Sequence, residues 1–183
     1  TAAGGTWQQG PGLDFIRAIQ EALPDLKFIA EDLGYVTPEV RRLQEESGYP
    51  GMKVLQFAFD SREESNYFPH HYEKNQVVYT GTHDNDTTRH WFESLSMEDR
   101  NMAKEYMRLK EGEEVCEVMI TTAFSSVADT CIIPMQDYLN LGEEARMNQP
   151  STIGGNWTWR MTGKENLEEL SQRISRLVSL YER

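Results

Sequence analysis

Cysteine is nearly absent from this sequence, with two residues, Cys116 and Cys131, among 183. They permit at most one bridge and no zinc-like CxxC spacing, which fits a reducing, cytoplasmic setting. Basic residues are scarce as well: Lys plus Arg is 18 against 30 for Asp plus Glu, a net charge of −12. Such a chain repels phosphate backbones and anionic lipid surfaces, so neither nucleic acid nor a membrane surface is an expected partner. No apolar run nears the roughly 20 residues that span a bilayer. The opening residues, Thr1 to Thr6, lack the charged start and apolar stretch of a signal peptide and read as the loop interior of a longer protein. Also missing are a GxSxG elbow, a reactive-cysteine signature, a GxxxxGKS/T phosphate loop, a dinucleotide fingerprint and an HExxH helix. Acid/base chemistry by carboxylates survives this elimination.

What is present, 38% hydrophobic and 26% charged residues, suffices for one sizeable core and predicts a single domain or most of one. Short apolar runs alternate with amphipathic stretches, the signature of parallel strands with helical crossovers. The pattern predicts strands at Lys27–Ala30, Lys53–Phe59, Gln76–Thr80 and Thr130–Pro134. Helices are expected at Leu13–Leu23, from a Thr37-Pro38 start to Gly48 with Val40 and Leu43 inward, and near Thr87–Leu95. Others follow at Met97–Lys110 behind a Ser96 cap, at Glu113–Val127 and at Leu167–Tyr181, the last docking on a sheet. The connection Asp60 to Asn75 has no helical period, and Gln149 to Gly163 reads as a structured surface loop. Polar residues follow each strand: Glu31-Asp32, Asp60, Thr82 to Asp86, and Gln136-Asp137. Barrel enzymes carry active sites at that edge, and so do open α/β sheets.

Two carboxylates stand out. Glu31 follows an apolar strand, where partial burial would favour the protonated form and equip it as a general acid; capping of the next turn is the alternative. Its neighbour Asp32 would face the other way and serve structure. Thr82-His83-Asp84-Asn85-Asp86 packs an imidazole and two carboxylates into five residues. A metal site, a helix N-cap at Asp86 and a platform for a polyhydroxylated substrate all compete to explain it. A calcium loop fails, because Arg89 and Leu95 stand where glycine and the bidentate glutamate belong. His70 and His71 read as solvated loop residues, whereas Tyr67, Phe68, Tyr72, Trp157 and Trp159 are candidates to stack on sugar faces or simply to pack. Carboxylates after two different strands suggest glycoside chemistry, in which Asp84 taken alone would be the nucleophile.

The strings Ile29-Ala30-Glu31-Asp32-Leu33-Gly34, Gly51 to Phe59, Val78 to Thr87, Ala145-Arg146-Met147-Asn148 and Gly155 to Arg160 together resemble the amylomaltase, or 4-alpha-glucanotransferase, family. The resemblance implies a TIM (β/α)8 barrel of which residues 1–183 are the C-terminal half, about strands five to eight. It assigns the acid/base role to Glu31 and the role of transition-state stabiliser to Asp84, with His83 beside it. Asp60, Asn156 and the loop from Tyr67 to Tyr72 are candidates for acceptor binding. It implies no metal and no cofactor. Its substrates would be α-1,4-glucans and maltooligosaccharides, transferred with retention. The family's nucleophile is an aspartate in an Arg-x-Asp-His type motif upstream, which nothing here matches, so these residues alone are expected to be inactive. Alternatives are a non-catalytic glucan-binding module and a metal-dependent hydrolase built on His83, Asp84 and Asp86. A cut barrel exposes strand edges and apolar surface, which favours self-association.

Overall fold

The computed structural model describes residues 4–6, 8–34, 36–62 and 64–183. They fall into two compact units, 1–51 and 52–183. The first three residues, part of the opening stretch read as loop interior, lie outside the described residues.

In the first unit, α1 (Leu13–Ala22) packs against α2 (Pro38–Ser47). The start of α2 obeys its local chemistry: Thr37 Oγ1 accepts the Val40 amide at 3.3 Å, and Pro38 occupies the first turn. Gly48 ends it in the left-handed region at φ 70°. Val40, expected inward, is instead 45% exposed. The segment 27–30 is not a strand. A strand needs a ladder of partners, and here the Ala30 amide makes a single backbone bond, to Pro50 O at 2.8 Å. Ile29 is accordingly 45% exposed, while Phe28 packs on Tyr49 with ring centroids 5.3 Å apart.

The second unit carries the sheet, in the order β1 (Gly51–Val54), β2 (Gln76–Tyr79), β3 (Thr130–Ile132). β2 and β3 are parallel, Tyr79 lying opposite Ile132. The chain between them forms α3 (Thr88–Ser94), α4 (Met97–Met107) and α5 (Val115–Phe124), the helical crossover that the alternating pattern predicts. α5 is the centrepiece of the core: Val115, Cys116, Met119, Ile120, Ala123 and Phe124 are all buried, and α3, α4 and α6 (Met135–Tyr138) pack on it. Both cysteines are free, and burial pushes their thiols up to about 12 for Cys116 and about 11 for Cys131, which favours the protonated thiol.

Two expectations fail in this unit for tertiary reasons. The run 53–59 leaves the strand after Val54 and closes into a 3-10 turn, Leu55–Ala58, with Leu55, Gln56 and Ala58 buried. A continuous apolar run cannot distinguish strand from buried helical turn. The turn lets the Gln56 amide reach Thr80 O at 3.2 Å and its side-chain amide reach Asp86 O at 2.9 Å. The last helix, α7 (Leu167–Leu180), packs chiefly on α5 where docking on the sheet is expected, with Leu170 its one buried residue. Arg173 fixes it by pairing with Glu117 at 2.6 Å and donating to Tyr138 O at 2.5 Å. Arg183 then donates to the carbonyls of Phe124, Ser126 and Ala128 beyond the end of α5. Among the described residues no helix is long and apolar enough to cross a membrane.

Candidate active site

The segment 81–87 joins the end of β2 to the start of α3. Its turn is closed internally: Asn85 Oδ1 accepts both the Thr82 amide and the Thr82 hydroxyl at 2.8 Å, and the Asn85 amide returns to Thr82 O at 3.2 Å. Gly81 sits at a close approach, where a Cβ would lie 2.7 Å from Gln56 Nε2 and 3.2 Å from Asn85 Cβ. At the far end the helix cap is Thr87, whose Oγ1 accepts the His90 amide at 3.4 Å, and not Asp86 as expected. Asp86 has other partners: Oδ2 stands 2.7 Å from His90 Nδ1 and accepts from Arg146 Nη1 at 3.2 Å, while Oδ1 accepts the Thr87 amide.

Between these anchored ends the tip presents His83 and Asp84, both exposed. Asp84 is nevertheless fixed. Asn148 Nδ2 donates to its Oδ1 at 2.6 Å, His83 Nε2 lies 3.4 Å from the same oxygen, and Arg146 Nη2 donates to its backbone carbonyl at 3.1 Å. The Arg146 guanidinium thus serves Asp84, Asp86 and, through Nε, the carbonyl of Asn148 at once. A fork of donors with fixed geometry is well suited to that task. Trp157, 53% exposed, sets its ring 4.9 Å from that of His83. Its backbone sits in the left-handed region at φ 62°, held by its amide's bond to Met147 O at 2.7 Å. The arrangement is a carboxylate with one oxygen largely free, an imidazole and an open indole face. It can accept hydrogen bonds from hydroxyls and cover an apolar sugar face.

The remaining expected site residues are placed as follows. Glu31 belongs to the first unit and is exposed; the shelter expected for it is absent, and among the described residues its carboxyl makes no hydrogen bond. Asp32 is half-buried beside Gly51, where a Cβ would come within 2.5 Å of Asp32 Oδ2, in keeping with a structural role. Asp60 is held by the Arg62 guanidinium in a two-point pair at 2.6 and 2.7 Å, and those hydrogen bonds bring its carboxyl down to about 2. Asn156 spends its amide inside its own loop, accepting the Gln149 amide at 2.9 Å and donating to Thr152 at 3.0 Å. Tyr72 is buried and donates to Tyr67 O, and Tyr67 and Phe68 pack against the core, so these three do not offer open faces as Trp157 does. Among the described residues no group of three or more His, Cys, Asp and Glu is arranged to hold an ion.

Arg146 and Asn148 lie within the stretch Ala145-Arg146-Met147-Asn148, whose sequence gives neither of them a task. Asp137 reads from sequence only as a polar residue after a strand. An arginine and an asparagine two apart in a stretch of little periodicity were the available signal.

Known proteins match most or all of this chain. A model of the family described as 4-alpha-glucanotransferase matches residues 1–166. A 4-alpha-glucanotransferase of Clostridium butyricum is 48% identical over 184 residues, covering 100% of this chain and 38% of that protein. The chloroplast or amyloplast 4-alpha-glucanotransferase of Arabidopsis thaliana is 47% identical over 182 residues, covering 98% of this chain and 32% of its own length. An amylomaltase from Streptococcus agalactiae, solved in complex with acarbose, superposes with a TM-score of 0.93 at 40% identity, over 100% of this chain and 37% of that one. The chain therefore spans about a third of the length of these relatives.

Proposed function

The chain belongs to the 4-alpha-glucanotransferase family, and from that premise we propose that it forms the C-terminal half of a (β/α)8 catalytic barrel. The complete enzyme would transfer α-1,4-glucan segments between maltooligosaccharides. The observation that carries the reading is the fixed Asp84, steadied by Asn148 and Arg146 beside His83 and the open face of Trp157. In the proposed reaction an aspartate outside these 183 residues attacks the anomeric carbon while Glu31 gives its proton to the departing glycosidic oxygen. Asp84 accepts hydrogen bonds from the donor sugar's hydroxyls, and these strengthen as the ring gains oxocarbenium character. Glu31, now a carboxylate, takes the proton of an incoming sugar 4-hydroxyl, whose oxygen displaces the enzyme aspartate and restores the α configuration. Exposure of Glu31 is compatible with this cycle, since it must meet both a leaving and an arriving sugar.

Incubation with maltotriose tests the reading. The complete enzyme should produce glucose together with maltooligosaccharides longer than three units, whereas the 183 residues alone, which carry no match to the nucleophile motif, should produce neither. Sustained disproportionation by the 183-residue chain would overturn the assignment of the nucleophile to another segment.

One observation favours a second property. Asp84, Asn148, Arg146, His83 and Trp157 all lie in the unit 52–183 and are ordered by contacts within it. The 183-residue chain should therefore bind maltoheptaose without turning it over. Titration calorimetry should give saturable heat at millimolar sugar, lost on Trp157→Ala; no heat at that concentration would count against binding.

A further inference from the structure

We propose that Asp137 is a positioning residue: one buried carboxylate that ties together both ends of the segment 81–87 and so sets where Asp84 is presented. Asp137 lies on α6 and is 1% exposed. Its Oδ2 accepts from Thr80 Oγ1 at 2.5 Å and from Thr88 Oγ1 at 2.8 Å, and its Oδ1 accepts the Thr88 amide at 2.8 Å. Thr80 directly precedes the segment and Thr88 directly follows it; both are fully buried. The parallel register explains the meeting. With Tyr79 opposite Ile132, the residues that leave β3 emerge beside those that leave β2.

The chemistry of the group supports a purpose beyond filling space. A buried carboxylate is costly unless its oxygens are satisfied, and burial here pushes the Asp137 carboxyl upward. Its three partners are neutral donors, and among the described residues no cation pairs with it. Only a carboxylate offers an acceptor to all three. An asparagine could keep the Thr88 amide on its oxygen, but its NH2 would face the two hydroxyls and force them to turn round. The tip of the segment is restrained separately, by Arg146 and Asn148. Loss of the lower tie therefore leaves the segment hinged at its feet, without removing any group that touches sugar.

The kinetic part of the test rests on the transferase reading, and the exchange part does not. In the complete enzyme, Asp137→Asn should lower kcat on maltotriose about 10²-fold with KM within about twofold, as misplacement of a catalytic group does. Amide hydrogen exchange across 81–88 should quicken about tenfold or more while α5 stays protected. Thr80→Val, which keeps shape and removes one hydroxyl, should move both readouts the same way. Thr80→Ser, which restores the hydroxyl, should recover the exchange protection, and this pair decides the matter if Asp137→Asn does not fold. Unchanged exchange at 81–88, or faster exchange with unaltered kcat, would overturn the proposal. A wild-type enzyme inert towards maltotriose would instead sink the transferase reading, and the exchange arm would still decide whether Asp137 holds the segment.

Discussion

Glu31→Gln in the complete enzyme should slow maltotriose disproportionation by about 10²- to 10⁴-fold, the range expected when a general acid is removed. The loss should depend on the leaving group. Fluoride departs from α-glucosyl fluoride as a stable anion without needing a proton, so formation of the glucosyl-enzyme should survive the substitution. Azide needs no deprotonation to attack, so it should intercept that intermediate as α-glucosyl azide in the variant but scarcely in the wild type, where sugar acceptors compete. Product analysis by chromatography checks both statements. An equal loss on fluoride and on maltotriose, with no azide adduct, would remove Glu31 from the acid/base role. Because its carboxyl is exposed and makes no hydrogen bond to described residues, the substitution should leave the thermal midpoint nearly unchanged.

Asp84→Asn should behave differently. A carboxylate that stabilises charge at the anomeric centre acts whichever group departs, so the substitution should cost about 10³-fold on maltotriose and on α-glucosyl fluoride alike. Azide should not restore turnover. The Asn148 side chain can reorient its donor towards an amide oxygen, and Arg146 holds the backbone carbonyl and not the side chain. The segment should therefore keep its course, and a rate loss on one substrate only would point to a different role. Together the two variants separate proton transfer from charge stabilisation.

The features read correctly from sequence are those set within a few residues. Thr37-Pro38 starts α2, and Ser96 accepts the Asp99 amide at 3.1 Å to start α4, as their spacing dictates. The strand Gln76–Tyr79 with its polar successor segment is legible too, one residue shorter than the expected 76–80, because an apolar run that ends in Gly81 and five polar residues has few other solutions. What escaped depends on partners far along the chain. Residues 27–30 have strand character without a ladder, and 53–59 turns early because Gln56 is needed by Thr80 and Asp86. The cap moved from Asp86 to Thr87 for the same reason: Arg146 and His90 claim the Asp86 carboxylate. Within the candidate site, the motif resemblance points to Asp84 and His83, which lie side by side in the structure. The clamp of Arg146 and Asn148 and the tie of Asp137 have no local signature, since each is defined only by what it meets.

The clamp over Asp84 spans a long stretch of chain: its three bonds join residues 60, 62 and 64 apart in sequence. Contacts of that separation carry the entropy of closing a large loop, a cost that local helical contacts do not bear. During synthesis the ribosome must release Asn148 before Asp84 can take up its final orientation.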